Sequence, residues 1–251
     1  MIVLHRQVSG HSNREKASVV GDGSILRTSK GEELANELQT ASEIFDVIGT
    51  QRAMRRLKPD PVPEELIKKV LWAATRAPSG GNRQGWRFIV VTDAEKKKGL
   101  QKVYGPAWHS FVAAGYGRMD GTLAPEAAES NRRVMASATH LADHLHEAPV
   151  IIMACTFKDP GSVNQDIASG ASIYPAVQNL MLAARALGLG TALTTIHRTN
   201  EPRVREILGI PETVDTAALI PLGWPKGRFG SGLRQPVEAV TYWETWGNKR
   251  P

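Results

Sequence analysis

Between Pro149 and Cys155 the chain reads Pro-Val-Ile-Ile-Met-Ala-Cys, with no polar residue at either alternate position. A strand of this kind offers no face to water, so it belongs inside a sheet covered on both sides. The other segments must therefore supply neighbouring strands and covering helices. Trp86–Val91, Thr191–Thr195, Ala217–Leu222 and Val237–Trp243 read as further strands. Ile44, Phe45, Val47 and Ile48 start a short helix. Asp60-Pro61-Val62-Pro63-Glu64-Glu65 opens the next, with proline near the first turn and acids at the positive helix end. Leu66, Ile67, Val70, Leu71 and Ala74 then share one face, and the helix must stop before Pro78. Ala94–Val103, Ser130–Glu147 and Ile173–Leu187 are three more helices. Strands with interposed helices predict a layered α/β or α+β sandwich.

Two stretches stand apart. Residues 1–44 are turn-rich, as at Ser9-Gly10-His11-Ser12-Asn13, and predict a loosely ordered N-terminal extension with a short helix near Glu32–Leu38. The remainder, 45–251, reads as one domain. Residues 105–130 carry Gly, Pro and aromatic residues without a clear period; Trp108, His109, Phe111 and Tyr116 there are candidates for a substrate-covering lid or for ordinary packing.

Composition removes several classes of function. A single cysteine, Cys155, excludes an intrachain disulfide and any Cys-rich zinc or iron–sulfur centre. No apolar run has the length of a membrane-spanning helix, and the opening Met1-Ile2-Val3-Leu4 is too short for a signal-peptide core. The expectation is a cytoplasmic protein with no membrane partner. The net charge of +6 suits nucleic acid, a phosphate-bearing ligand or simple solubility.

The motifs narrow this. Leu187-Gly188-Leu189-Gly190-Thr191 lacks the third glycine of a dinucleotide fingerprint, since Leu193 stands there. It also joins a helix to a following strand, the reverse of the order that aims a helix N-terminus at phosphate. Gly188 or Gly190 is better read as a helix C-cap. His140 and His144 share a helix face at metal-ligand spacing but lack the glutamate of a His-Glu-x-x-His site and an obvious third ligand. Cys155 ends an apolar strand and reads as a small core residue.

Two segments carry more. Gln51-Arg52-Ala53-Met54-Arg55-Arg56-Leu57-Lys58 holds four cations and no acid between two helices. That is either a solvated turn or an anion site in which planar Arg forks bind phosphate. No aromatic residue is interleaved, which argues against nucleic acid. Ala77-Pro78-Ser79-Gly80-Gly81-Asn82-Arg83-Gln84-Gly85-Trp86 joins a helix to a buried strand; its glycines permit close backbone approach, and Ser79, Asn82 and Gln84 add hydrogen-bonding groups.

Together these segments resemble the FMN-dependent nitroreductase family. The resemblance extends to Lys58-Pro59-Asp60-Pro61-Val62-Pro63, Ile173-Tyr174-Pro175-Ala176-Val177-Gln178-Asn179-Leu180, Ala186-Leu187-Gly188-Leu189-Gly190, Leu222-Gly223-Trp224-Pro225 and Arg234-Gln235-Pro236. It runs in the family's order from about Phe45 to Trp246. It implies an α+β fold: a nitroreductase-like α/β/α sandwich with a mixed, mainly antiparallel central sheet, in a domain-swapped homodimer with FMN at the subunit interface. By position, Gln51, Arg52, the Ala53 backbone and Arg234 would meet the flavin phosphate end, and Arg55 the N1/O2 side of the ring. Ser79 and Asn82 would reach the flavin from the other subunit. Leu193, Thr194 and Thr195 would form the strand end beside the ring. Gln51 replaces a usual arginine, Ala53 a frequent serine and Gly85 a usual proline.

The implied activity is NAD(P)H-dependent reduction of nitroaromatic, quinone-like or related small acceptors by ping-pong hydride transfer, NADPH or NADH being the donor. Such chemistry needs positioning and electrostatics rather than an acid–base pair, so no catalytic residue is assigned. The alternative keeps the fold and drops that turnover, giving a flavin-binding or flavin-processing protein.

Overall fold

The computed structural model describes residues 43–117, 125–158 and 170–250. The helix expected near 32–38 and the disposition of the extension lie outside these residues.

Helix α1 spans Ile44–Thr50 and α2 Glu64–Ala74. Strand β1, Trp86–Val91, leads to α3, Ala94–Ala107, whose N-terminus is capped by Asp93 accepting from the Lys96 amide at 2.8 Å. Pro106 lies in the last turn of α3, and the helix widens into a π turn over Trp108–Val112 before α4, Ala113–Gly117. Helix α5 spans Pro125–His144, β2 Val150–Phe157 and α6 Ile173–Ala186. Strand β3, Gly190–Thr191, is followed by α7, Glu201–Leu208, and β4, Val214–Gly223.

The sheet order is β1-β2-β4-β3, and all three pairings are antiparallel. Among the described residues the parallel component is an isolated bridge between Ala53 and Thr191. The apolar run of β2 lies inside the sheet, as its sequence demands. Ile152 and Ala154 face a core layer with Val70, Ala74, Ile173 and Leu180 of α2 and α6. Ile151, Met153 and Cys155 face a second layer with Leu100, Leu141, Leu145 and Val204 from the α3, α5 and α7 side. Every residue from Ile151 to Ala154 is fully buried. Helices thus cover both faces.

Two expected strands differ. Thr191–Thr195 shortens to the two residues of β3, with Thr194 adding one isolated bridge to Leu219. Val237–Trp243 is not a strand: Val237–Val240 forms a 3₁₀ turn within an exposed C-terminal arm. Val237 and Val240 are three apart, the spacing of that turn. Leu233, Val237, Val240 and Trp246 stay more than half exposed on the arm, as do Ile44, Phe45 and Ile48 on α1.

Candidate cofactor site

The basic turn after α1 lies along the outer edge of β3. The Met54 amide donates to the Thr191 carbonyl at 2.8 Å. Farther on, the Lys58 amide donates to Trp224 O at 2.7 Å, and the Lys226 amide donates to Arg56 O at 2.9 Å. Met54 and Leu57 are buried beneath the turn, while Arg52, Ala53, Arg56 and Lys58 are exposed above them. Two apolar anchors and a backbone ladder therefore hold a row of cations toward solvent.

The two glycines of the 187–191 segment have different reasons to be glycine. Gly188 has φ 76° and ends α6: its amide donates to Arg185 O at 3.0 Å, and Leu189 donates to Ala184 O at 2.8 Å, a Schellman arrangement. Gly190 makes room. A Cβ there would stand 2.8 Å from Met54 Cβ and 3.1 Å from Leu57 Cδ2, so the turn can dock on β3 only where no side chain intervenes.

Arg55 is half-buried and donates through Nη1 to Ser137 Oγ of α5 at 3.3 Å. Gln51 is also half-buried, its Nε2 3.9 Å from Met181 Sδ of α6. Thr194 exchanges backbone hydrogen bonds with Leu219 at 3.0 and 2.9 Å. Its hydroxyl oxygen accepts from the Tyr104 hydroxyl at 3.2 Å and from the Ile196 amide at 3.3 Å. Leu193 and Thr195, on either side of it, are exposed. Arg234 lies on the exposed arm with Nη1 on the Leu233 carbonyl at 2.8 Å.

Ser79 and Asn82 lie elsewhere. Ser79 Oγ accepts from the Gln84 amide, and Asn82 Oδ1 from Gln84 Nε2, each at 3.1 Å. Gly81, Asn82 and Gln84 all have positive φ, 58°, 53° and 50°. Asn tolerates this region, whereas Gln84 holds an uncommon conformation in an exposed turn. The Gly80 amide donates to Ser172 Oγ, at the start of α6. The C-terminal half of that helix meets Thr50, at Arg185, and the first residue of the basic turn, Gln51, at Met181. From Ser172 to Arg185 is about 20 Å at 1.5 Å per residue. The structure therefore brings residues 51–55 to 191–195 and leaves Ser79 and Asn82 at the far end of α6 within the same chain.

Some partners carried no signal in the sequence. Tyr104 falls on the apolar face of α3 with Leu100 and Val103, where its spacing says only core; its hydroxyl holds Thr194. Ser137 contacts Arg55 although the two are 82 positions apart. His140, one turn beyond Ser137, stacks on His144 with ring centroids 4.2 Å apart. Burial, then the charges of His144, Arg56 and Lys226, lowers the His140 pKa below the ordinary histidine value. Among the described residues no three His, Cys, Asp or Glu side chains converge as a metal site.

The lid candidates divide. Trp108 is a core residue, 2% exposed, donating to Thr139 Oγ1 at 3.1 Å. His109 is exposed and pairs with Asp143 at 2.8 Å. The side chains of Phe111 and Tyr116 lie outside the described residues. Cys155 is 1% exposed, and burial pushes its thiol up to about 11, which suits a packing residue and not a nucleophile.

His197, just beyond Thr195, is 1% exposed, and burial lowers its pKa to about 4. Neither ring nitrogen has a well-aligned partner, although the Thr194 and Thr216 backbones lie near. The unfolded chain takes up this proton near pH 6.5 and the folded chain near 4. Stability should therefore fall as pH drops through that interval, by about 3 kcal/mol from this group. Denaturation midpoints measured from pH 7 to 4 should show the loss, and His197→Leu should flatten it.

The sequence profile of the nitroreductase family matches residues 48–224. An NADH dehydrogenase of Thermus thermophilus is 30% identical over 201 residues, covering 77% of this chain and 92% of that protein. A nitroreductase with bound FMN from Desulfitobacterium hafniense superposes with a TM-score of 0.60 at 22% identity, covering 82% of this chain and all of that one. An iodotyrosine deiodinase bound to FMN and 3-iodo-L-tyrosine superposes with a TM-score of 0.64, also at 22% identity, covering 81% of this chain and all of its own. Among the described residues, no helix is long and apolar enough to cross a membrane.

Proposed function

The chain belongs to the nitroreductase family, and from that premise we propose an FMN-dependent oxidoreductase that passes hydride from NADPH or NADH to a small acceptor. Two equivalent sites would lie at the interface of a homodimer. The observation that supports this best is the split of the site. The basic turn docks at Thr191, just before the Leu193–Thr195 strand end, and meets the C-terminal half of α6, while the Ser79–Asn82 loop lies at the start of that helix. One chain supplies each half of a flavin site but not both halves together. A second copy would complete it, and the exposed apolar residues of α1 and the arm offer a surface for that copy.

The residues present fit the cofactor's chemistry. Four cations without an acid, in a turn fixed by its backbone, suit a phosphate dianion: Arg52, the Ala53 backbone and Arg234 would hold it, and Gln51 would add an amide. Arg55, oriented by Ser137, would place positive charge beside the pyrimidine end of the ring, where it favours the reduced anionic flavin. Leu193 and Thr195 would line the ring's edge, with the Leu193–Thr195 backbone offering an amide toward N5. Tyr104 and Leu219 hold that backbone in place through Thr194. FMN, when bound, supplies the hydride-transferring centre, so the chain's own work is binding, orientation and charge. Donor and acceptor would occupy the same space in turn.

The test is anaerobic reduction of the FMN-loaded protein by NADPH or NADH, followed by a nitroaromatic, a quinone and a halogenated phenol. Repeated turnovers with a nitroaromatic or quinone are expected. Turnover with the halophenol alone would favour the deiodinase-like reading that the second structural likeness motivates. Flavin binding without turnover would support a flavin-binding protein. A chain with no FMN affinity would overturn the proposal.

A further inference from the structure

We propose that Arg185 is a positioning residue for the phosphate end of the cofactor site, fastening both of its chain segments to α6. The inference rests on the reading above that the basic turn and the arm hold phosphate.

Arg185 lies on the α6 face that otherwise presents Ile173, Val177, Leu180, Met181 and Ala184 to the core. It is only 6% exposed. A buried guanidinium is costly to desolvate, and an apolar side chain of similar volume commonly stabilises a fold as well or better. Core packing alone therefore gives no reason for arginine here. Its contacts give one. Nε donates to Thr50 Oγ1 at 2.8 Å, and Nη2 lies 3.8 Å from Asp46 Oδ2. The guanidinium also covers the Phe229 ring, with Cζ 4.2 Å from the ring centroid.

Thr50 is the last residue of α1, directly before Gln51-Arg52-Ala53. Phe229 lies five positions before Arg234, where the arm leaves the body. One rigid fork thus reaches both segments assigned to the phosphate. The Thr50 hydroxyl is itself committed, donating to Asp46 O at 2.6 Å, so the lone pair it offers Arg185 has a fixed direction. Among the described residues helix α1 has little other anchorage: seven residues long, it buries Val47 and leaves Ile44, Phe45 and Ile48 exposed. A lysine could keep the charge, but not the planar fork that meets a hydroxyl, a carboxylate and an aromatic face together.

Riboflavin separates positioning of the phosphate segments from general support, because it lacks the phosphate. Apoprotein carrying Arg185→Met, Arg185→Lys or Thr50→Val would be titrated with FMN and with riboflavin, and its melting followed. Arg185→Met and Arg185→Lys should raise the FMN dissociation constant about tenfold or more, the size of a lost charge-assisted contact. Thr50→Val should give a smaller loss in the same direction. Riboflavin affinity should stay within about twofold. Equal weakening of both flavins, or unchanged FMN affinity in both Arg185→Lys and Thr50→Val, would overturn the proposal. Thr50→Val keeps the test open if Arg185→Met does not fold. Wild-type protein that ignores FMN, or does not distinguish it from riboflavin, would instead remove the parent reading, and this inference with it.

Discussion

Replacing Arg52 and Arg234 together by alanine should raise the FMN dissociation constant by about 10²- to 10⁴-fold. Each side chain is assigned a charge-assisted hydrogen bond to phosphate, worth about 1.5–3 kcal/mol when its partner is a charged group. Both side chains are exposed in the chain by itself, so neither supports the core and the fold should survive their loss. Fluorescence titration of the apoprotein measures the effect. Riboflavin should bind the double variant as it binds the wild type, and FMN binding to the wild type should weaken as salt is raised. Equal FMN affinity in the double variant and the wild type would move the phosphate away from the turn and the arm.

Gly190→Val should do comparable damage by another route. Its Cβ would meet Met54 Cβ at 2.8 Å, and a Cβ moves only with its backbone. The basic turn would have to lift from the edge of β3, breaking the hydrogen bond between Met54 and Thr191. The cost to stability should be about 1–3 kcal/mol, as for other overpacked sites. FMN affinity should fall further, because the row of cations loses its register with Leu193–Thr195. Gly188→Ala is the matched control. Strain at its φ of 76° should cost about 1 kcal/mol while leaving the turn docked. Denaturant unfolding and FMN titration of both variants check the contrast. If Gly190→Val binds FMN normally, the docking of the turn on β3 is not what orders the site.

These glycines show how far the sequence reaches. A helix ending before a strand was legible at Gly188 and Gly190, but capping could be attributed to either. Only the approach of Met54, from 136 positions earlier in the chain, separates their roles. The buried strand at β2 was legible because its apolar run leaves no alternative face, and the basic turn because four cations stand together without an acid. The arm at 237–243 reads as a strand because Val237, Val240, Thr241, Tyr242 and Trp243 are strand-forming residue types, and nothing local shows that they lack a neighbour to pair with. Whether Trp108 covers substrate or packs is open in the sequence, because aromatic content in an irregular stretch does not reveal burial. Tyr104, Ser137 and Arg185 act through partners 90, 82 and 135 positions away, and local spacing does not encode such meetings.

The most direct test of the two-chain site is complementation. One chain would carry Arg52→Ala with Arg234→Ala, and the other Ser79→Ala with Asn82→Ala, each with a different affinity tag. Each homodimer has two defective sites and should bind little FMN at concentrations that saturate the wild type. A mixed dimer isolated through both tags has one site with both defects and one with none. It should therefore bind one FMN per two chains with wild-type affinity, and that flavin should be reduced by NADPH or NADH. Mixed dimers that bind no better than their parents would contradict a site shared between subunits.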